Sequence, residues 1–134
     1  MQITRTRLET RRAPAEWFTG EVWLGQIAVA PSPSRLRAYS VHFTRGARRH
    51  QHPFGQVIHV TEGLGLVKRR DGPVELIRAG DTVRFEPDED HWHGAAPTWF
   101  MTHLALHEAG DDGEDARWGA HVTDDEYLQP TGAE

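Results

Sequence analysis

The segment His50-Gln51-His52-Pro53-Phe54-Gly55-Gln56 concentrates metal-binding side chains, and His91-Trp92-His93 repeats the same His-X-His spacing in the second half of the chain. In a β-strand, residues i and i+2 project from the same face. The two histidines of each triplet can therefore bind one ion together, provided that both segments are extended. Neutral imidazoles beside an amide oxygen suit a divalent first-row transition ion. The sequence thus predicts a metal site built on strands.

Short apolar segments separated by turn residues surround these two stretches. Strands at about ten-residue spacing predict an antiparallel sandwich or barrel. The predicted strands are 21–28, 36–44, 56–61, 65–70, 74–77, 81–85 and 99–107. Asp71-Gly72 predicts a hairpin turn. Thr123, with Glu126 three residues later, predicts a capped turn of helix.

Composition narrows the classes of function. The chain has 134 residues, which suits one domain, and a net charge of −5 without a basic-aromatic cluster, which argues against a nucleic-acid partner. The pairs Arg48-Arg49 and Arg69-Arg70 are typical of a solvated face. The lack of Cys excludes disulfides, thiolate metal sites and cysteine nucleophiles. No membrane span or signal-peptide core is visible, so we expect a cytoplasmic protein with no membrane partner.

The ordered set Gly46…His50-Gln51-His52…Gln56…Gly63 and Gly80-Asp81…Pro87…His91 resembles the two motifs of the cupin superfamily. The wider set is similar to small single-domain bacterial cupins, in particular manganese-dependent hydroxynitrile lyases and cupins associated with carboxymuconolactone-decarboxylase-like domains. The supporting segments are 15–20, 52–56, 91–98, 101–105 and 121–124. The resemblance implies an all-β, jelly-roll (double-stranded β-helix) barrel as a single domain over 1–134. Its barrel core would span about 20–108, with an N-terminal arm over 1–19 and a C-terminal tail over 109–134.

The resemblance also implies the metal ligands, which are His50, His52, Gln56 and His91. Four protein ligands on an octahedral ion leave two positions for water or substrate, as a catalytic site needs. Gln in place of Glu leaves the coordinated ion more positive, which favours Lewis-acid chemistry over oxygen activation. Manganese is the expected ion, and iron, nickel, cobalt and zinc also suit these ligands.

Two departures from the family pattern bear on the site. The usual motif has five residues between its first glycine and first histidine, whereas Gly46 and His50 are separated by three. A turn shortened by two residues preserves strand parity, so the ligands can still face inward. The second departure is His107, where lyase-like members tend to carry Gln.

The catalytic side chains are expected on the last strand and beside His91. By resemblance His103 is the general base, and His93 and His107 would stabilise the leaving group. Two histidines inside an apolar wall are costly to bury without a partner or a function. A satisfied core histidine remains the structural alternative for His103, and a backbone-bonded one for His93. The pocket for an apolar group is expected from Tyr39, Val41, Phe54, Trp92, Trp99 and Met101.

The outer face of the last strand is also apolar, which indicates that something covers it. The segment containing Trp17 and Phe18 is one candidate cover, and a second subunit is the other. We expect a homodimer or a higher homo-oligomer. His42 and His59 are expected to be exposed, and the position of His121 is left open.

These observations predict a metal-dependent enzyme acting on a small organic molecule, most concretely a hydroxynitrile lyase-like C–C lyase. A cupin dioxygenase or isomerase could use the same ligands on an enolisable or aromatic compound. A cupin that binds a metal and a ligand without turnover is the third possibility. A titratable base beside the metal favours the enzyme.

Overall fold

The computed structural model describes residues 1–5, 9–51, 55–111 and 119–129, and the regular secondary structure of these residues is almost entirely β-strand. The strands are β1 (Thr10–Arg12), β2 (Phe18–Thr19), β3 (Val22–Val29), β4 (Leu36–Phe43), β5 (Arg48–Arg49), β6 (Gln56–Arg69), β7 (Glu75–Arg78), β8 (Thr82–Phe85), β9 (His91–Ala95) and β10 (Met101–Glu108), followed by helix α1 (Asp124–Tyr127). The predicted all-β class is confirmed. Among the described residues, no helix has the length and apolar character that crossing a membrane would require.

One long strand joins the two walls of the barrel. The strand order is β1-β3-β4-β10-β6-β9-β5-β2, with β7 and β8 also paired to β6, and every pairing is antiparallel. The first half of β6 pairs with β8 and β10, and its second half pairs with β7 and β9. Because β6 belongs to both walls, side chains from its first half lie between them.

The chain was predicted to break at Glu62-Gly63, whereas β6 runs through this point as one bent strand. The register with β10 shifts between Thr102 and His103, leaving one extra residue on β6. Gly63 has a φ of +86°, and a Cβ built there would lie 2.0 Å from the carbonyl oxygen of Phe100. Only glycine fits this close approach, so the residue bends the strand rather than ending it.

The C-terminal helix packs on the outside of the β6–β9 wall. Its capping box is present as predicted, with the Thr123 side chain accepting from the Glu126 backbone and the Glu126 side chain facing the Thr123 backbone. Tyr127 is buried in a cluster with Leu66, Val74, Trp92 and Val122, and its hydroxyl donates to the carbonyl of Ala95. The C-terminal segment is thereby fixed against the strand that carries His91 and His93.

The segment containing Trp17 and Phe18 lies inside the barrel. Phe18 is 5% exposed and meets Phe43 edge-on, with ring centroids 5.8 Å apart, and Trp17 packs against the same core. This segment therefore does not cover the outer face of β10, where Leu106 is 38% exposed. The structure thus contradicts the first of the two predicted covers for that face, and the second subunit stays a prediction.

Candidate functional site

A cavity of about 560 Å³ lies within the curled sheet. Strands from both walls contribute to it, which follows from the way β6 joins them. Its lining is Arg11, Arg12, Pro14, Trp17, Phe18, Leu24, Gln26, Tyr39, Val41, Phe43, Arg49, Gln56, His93, Ala105 and His107. This volume accommodates a small organic molecule.

His91 is oriented by the backbone just before its strand. Its Nδ1 lies 2.8 Å from the carbonyl oxygen of Glu89, so Nδ1–H donates and Nε2 carries the lone pair. The ring stacks on Phe85, with centroids 3.6 Å apart and planes inclined by 6°. Burial, offset in part by the hydrogen bond to the Glu89 backbone and reinforced by the charge of Arg49, lowers the pKa of His91 to about 4, so the imidazole is neutral at physiological pH. A neutral imidazole held in one tautomer is the form that binds a metal.

His93 and Gln56 form a buried polar pair. The Nε2 atom of His93 lies 3.2 Å from Oε1 of Gln56, and the two residues are 0% and 6% exposed. The His93 ring also lies 5.0 Å from that of His103 and 5.8 Å from that of Phe43. His93 was expected either to enter the cavity or to bond to a backbone carbonyl. The structure shows that it lines the cavity and that it forms a side-chain hydrogen bond with Gln56.

His50 follows β5 and is 2% exposed. Its Nε2 is buried and has no hydrogen-bond partner among the described residues. Burial and then the neighbouring His121 lower the pKa of His50, and a hydrogen bond with the Glu16 backbone offsets part of this shift. His121, left open by the sequence, lies against His50 with ring centroids 3.7 Å apart.

The donor set fits a divalent transition ion in its chemistry. Within the described residues no three His, Cys, Asp or Glu side chains are grouped closely enough to hold one. The predicted ligand His52 lies outside those residues, as does the predicted pocket residue Phe54. The buried Nε2 of His50, the lone pair of His91 and the amide of Gln56 are the donors that the described structure offers.

The two histidines of β10 occupy different environments. His103 is 0% exposed, and neither ring nitrogen has a hydrogen-bond partner in the part of the chain that the structure describes. Burial, followed by the charge of Arg49, lowers the pKa of His103 to about 3. His107 is half-buried, lines the cavity and stacks on Tyr39 at 5.9 Å. His107 therefore faces the cavity, whereas His103 lies behind His93.

Three expected pocket residues are placed elsewhere. Trp92 points away from the cavity because strand alternation sends it to the face opposite His91 and His93, where it packs near Tyr127 with ring centroids 5.9 Å apart. Trp99 precedes β10 and is 54% exposed, so it lies beyond the alternating face of the strand. Met101 is fully buried in the core and does not line the cavity.

Several cavity residues were not predicted from the sequence. Arg11 and Arg12 lie on β1, a strand of three residues that is too short to show alternation. Trp17 and Phe18 line the cavity, although they were considered as an outer cover. The pair Arg48-Arg49 was assigned to a solvated face, yet Arg48 is 6% exposed and Arg49 lines the cavity. The hydrogen bonds of Arg48 to the C-terminal segment explain its burial.

His42 and His59 were expected to be exposed and are half-buried. Each ring pairs with a threonine of the neighbouring strand, since His42 Nδ1 lies 2.7 Å from the Thr102 hydroxyl and His59 Nδ1 lies 2.8 Å from the Thr82 hydroxyl. Neither residue lines the cavity.

Known proteins resemble the chain in sequence and in fold. Residues 40–98 match the family described as the cupin domain. An (R)-mandelonitrile lyase from Granulicella tundricola is 49% identical over 132 residues, which cover 96% of this chain and 100% of the relative. A cupin-like protein from Thermotoga maritima has a TM-score of 0.81 at 32% identity, covering 92% of this chain and 94% of that one. A polyketide cyclase from Streptomyces resistomycificus shares the fold, with a TM-score of 0.69 at 15% identity, over 95% of this chain and 89% of that one.

Three findings point to the same family. They are the match over nearly the full length of the chain, the barrel in which β6 belongs to both walls, and the histidines that face its cavity. The chain belongs to the cupin family and is a small jelly-roll cupin that resembles the hydroxynitrile lyases.

Proposed function

We propose that the protein is a metal-dependent lyase that reversibly cleaves an α-hydroxynitrile into a carbonyl compound and cyanide. The observation that carries the proposal is the cavity itself, in which the imidazoles of His93 and His107 and the amide of Gln56 face an otherwise largely aromatic and aliphatic wall. The similar lyase from Granulicella tundricola, whose name specifies mandelonitrile, supports this class of substrate.

The residues that would hold the ion are His50, His52, Gln56 and His91. When bound there, a divalent ion supplies a Lewis acid for an oxygen or cyanide group. The hydrogen bond between His93 and Gln56, at 3.2 Å, fixes the orientation of the amide, and the Glu89 carbonyl does the same for His91. Such outer contacts set the geometry and basicity of metal ligands.

Cleavage requires one group that removes the hydroxyl proton of the substrate and returns a proton to cyanide. His103 is fully buried, and burial keeps its imidazole neutral by lowering its pKa, which leaves it in the form that accepts a proton. His107 lines the cavity and is half-buried, at a position where lyase-like members tend to carry Gln. We assign the proton exchange to His103, the base implied by family resemblance, and His107 is the alternative that the experiment must separate.

The apolar half of the cavity would bind the organic group of the substrate. Trp17, Phe18, Tyr39 and Phe43 present aromatic rings to it, and Val41 and Ala105 complete the wall. An aromatic side chain on the cyanohydrin would gain both apolar burial and ring contacts there.

The test is the release of benzaldehyde from mandelonitrile by protein loaded with manganese or iron, with metal content measured on the same samples. We expect His103→Gln to lower kcat by about 100-fold, as is usual for loss of a general acid-base group. His107→Gln should lower it less, because lyase-like members tend to carry Gln at this position. Circular dichroism spectra that match the parent protein would establish that both variants fold.

Two results would contradict parts of the proposal. Turnover that does not exceed the uncatalysed rate with any of the ions would remove the lyase function. A loss confined to His107→Gln would move the proton exchange from His103 to His107.

A further inference from the structure

The wall of the cavity carries more positive charge than cleavage of a neutral cyanohydrin requires. Three arginines, Arg11, Arg12 and Arg49, are among its lining residues, and none of the described lining residues is Asp or Glu. The protein as a whole has a net charge of −5, so this positive surface runs against the overall composition. A cavity of one charge sign concentrates ligands of the opposite sign.

Two of the arginines lie at the solvent side of the cavity. Arg11 pairs with Leu24 across β1 and β3, and paired residues of antiparallel strands point to the same face. Leu24 also lines the cavity, which places the Arg11 side chain on the inner face of the sheet. Both Arg11 and Arg12 are exposed, and neither forms an ion pair with a carboxylate in the described ranges of the chain.

The third arginine lies deeper. The Nε atom of Arg49 is buried, and its guanidinium lies 5.9 Å from the centre of the Phe18 ring. Arg49 lines the cavity together with the predicted ligand Gln56. Positively charged residues are therefore found both at the opening of the cavity and near a predicted ligand.

Aromatic residues line the same cavity as the arginines. Trp17, Phe18 and Tyr39 share it with Arg11. A planar apolar group could pack among these rings while a carboxylate at its far end reaches Arg11. Guanidinium groups bind carboxylates through two parallel hydrogen bonds, which makes arginine selective for this group.

We propose that the physiological ligand of the cavity is a small aryl or alkyl carboxylate whose carboxylate group binds Arg11. The reaction at the other end of the molecule rests on the proposed lyase function, whereas binding of the carboxylate does not. Cyanide is also an anion, so the experiments must distinguish a carboxylate site from a site for any small anion.

The first experiment measures binding to the protein as isolated by isothermal titration calorimetry. The probes are benzoate, its neutral analogue benzamide and potassium cyanide. We expect benzoate to bind about tenfold more tightly than benzamide. The double variant Arg11→Gln/Arg12→Gln should remove that difference, and Arg84→Gln, an exposed arginine outside the cavity, should keep it.

Equal binding of benzoate and benzamide to the parent protein would overturn the inference. So would a benzoate preference that survives in the double variant. A third result would be that cyanide displaces benzoate from the parent protein and fails to do so in the double variant. That result would show a site for small anions in general and would overturn the proposed selectivity for carboxylates.

The second experiment compares turnover of the cyanohydrin of 4-formylbenzoate with that of mandelonitrile. We expect kcat/KM to be about tenfold higher for the carboxylate-bearing cyanohydrin than for mandelonitrile, because its KM is lower. In the double variant the ratio of the two kcat/KM values should approach one. A ratio near one in the parent protein would overturn the carboxylate assignment. Absence of turnover with both compounds would instead contradict the lyase function, and the calorimetric result would still decide the carboxylate site.

Discussion

The imidazole rings of His50 and His121 lie against each other, with centroids 3.7 Å apart and planes inclined by 50°. Backbone bonds between Gln51 and the C-terminal segment hold this contact. The Gly119 amide donates to the Gln51 carbonyl at 2.6 Å, and the Gln51 amide donates to the Ala120 carbonyl at 3.2 Å. The C-terminal segment thus fixes a predicted metal ligand that lies far from it in the sequence.

Replacing His121 with Ala should weaken retention of the metal. The His50 ring would lose the neighbour that restricts its orientation, and outer contacts of this kind alter metal affinity by about tenfold or more. Competition with a chelator, followed by elemental analysis, measures the effect. His59→Ala is the matched control because His59 bonds to Thr82 away from the cavity. Equal retention in the two variants would show that His121 does not act on the ligand.

Stability of the metal-free protein should fall as the pH falls below about 6.5. Burial holds the pKa of His91 at about 4 and that of His103 at about 3, whereas an unfolded histidine titrates near 6.5. Between these values the unfolded chain binds protons that the folded chain does not. Each histidine then removes about 1.4 kcal/mol of unfolding free energy per pH unit, down to about pH 4.

Urea unfolding at several pH values between about 5 and about 8 measures this dependence. His103→Leu should reduce the slope by about 1.4 kcal/mol per pH unit, because it removes one of the two buried groups. His59→Leu should leave the slope unchanged. A slope that is the same in all three proteins would contradict the assignment to His103.

The sequence predicts those parts of the fold that depend on local patterns. Alternating apolar residues and turn residues identified the strands of the core, and the Thr123–Glu126 capping box identified α1. The His-X-His spacing placed His91 and His93 on one strand with a buried face. These features follow from periodicity, which a single sequence displays directly.

Contacts made through tertiary pairing could not be predicted in the same way. β1, β2 and β5 contain two or three residues each, so they have no period to detect. They form through pairing with neighbours distant in the sequence, β1 with β3, β5 with β9 and β2 with β5. The burial of Arg48 and the placement of Arg11 at the cavity depend on those pairings. Trp92 was assigned to the pocket by its aromatic character, although its place in the alternation sends it to the opposite face.

Arg48 connects the barrel to the C-terminal segment. Its Nε donates to the Val122 carbonyl at 3.0 Å, one Nη donates to Asp124 at 2.7 Å, and the guanidinium lies 4.4 Å above the centre of the Tyr127 ring. Arg48→Met would leave the carbonyl of the buried residue Val122 without this donor, and it would remove the ion pair with Asp124. We expect it to lower the unfolding free energy by about 2–4 kcal/mol, measured by urea denaturation. Arg84→Met is the control, because Arg84 and Glu86 form an exposed pair that contributes less than about 1 kcal/mol. Equal losses in the two variants would contradict this role of Arg48.

A second copy of the chain is the predicted cover for the outer face of β4 and β10. Leu36 and Leu106 project from this face and are 49% and 38% exposed, and the segment with Trp17 and Phe18 lies inside the barrel. Light scattering after size exclusion should give a mass of twice the 15.2 kDa of one chain. Leu106→Lys should shift the mass toward a single chain, since a charge would be buried in the interface. Leu128→Lys, at an exposed leucine in the C-terminal segment, should leave the mass unchanged. A single-chain mass for the parent protein at micromolar concentration would contradict the dimer, and loss of the dimer in both variants would place the interface elsewhere.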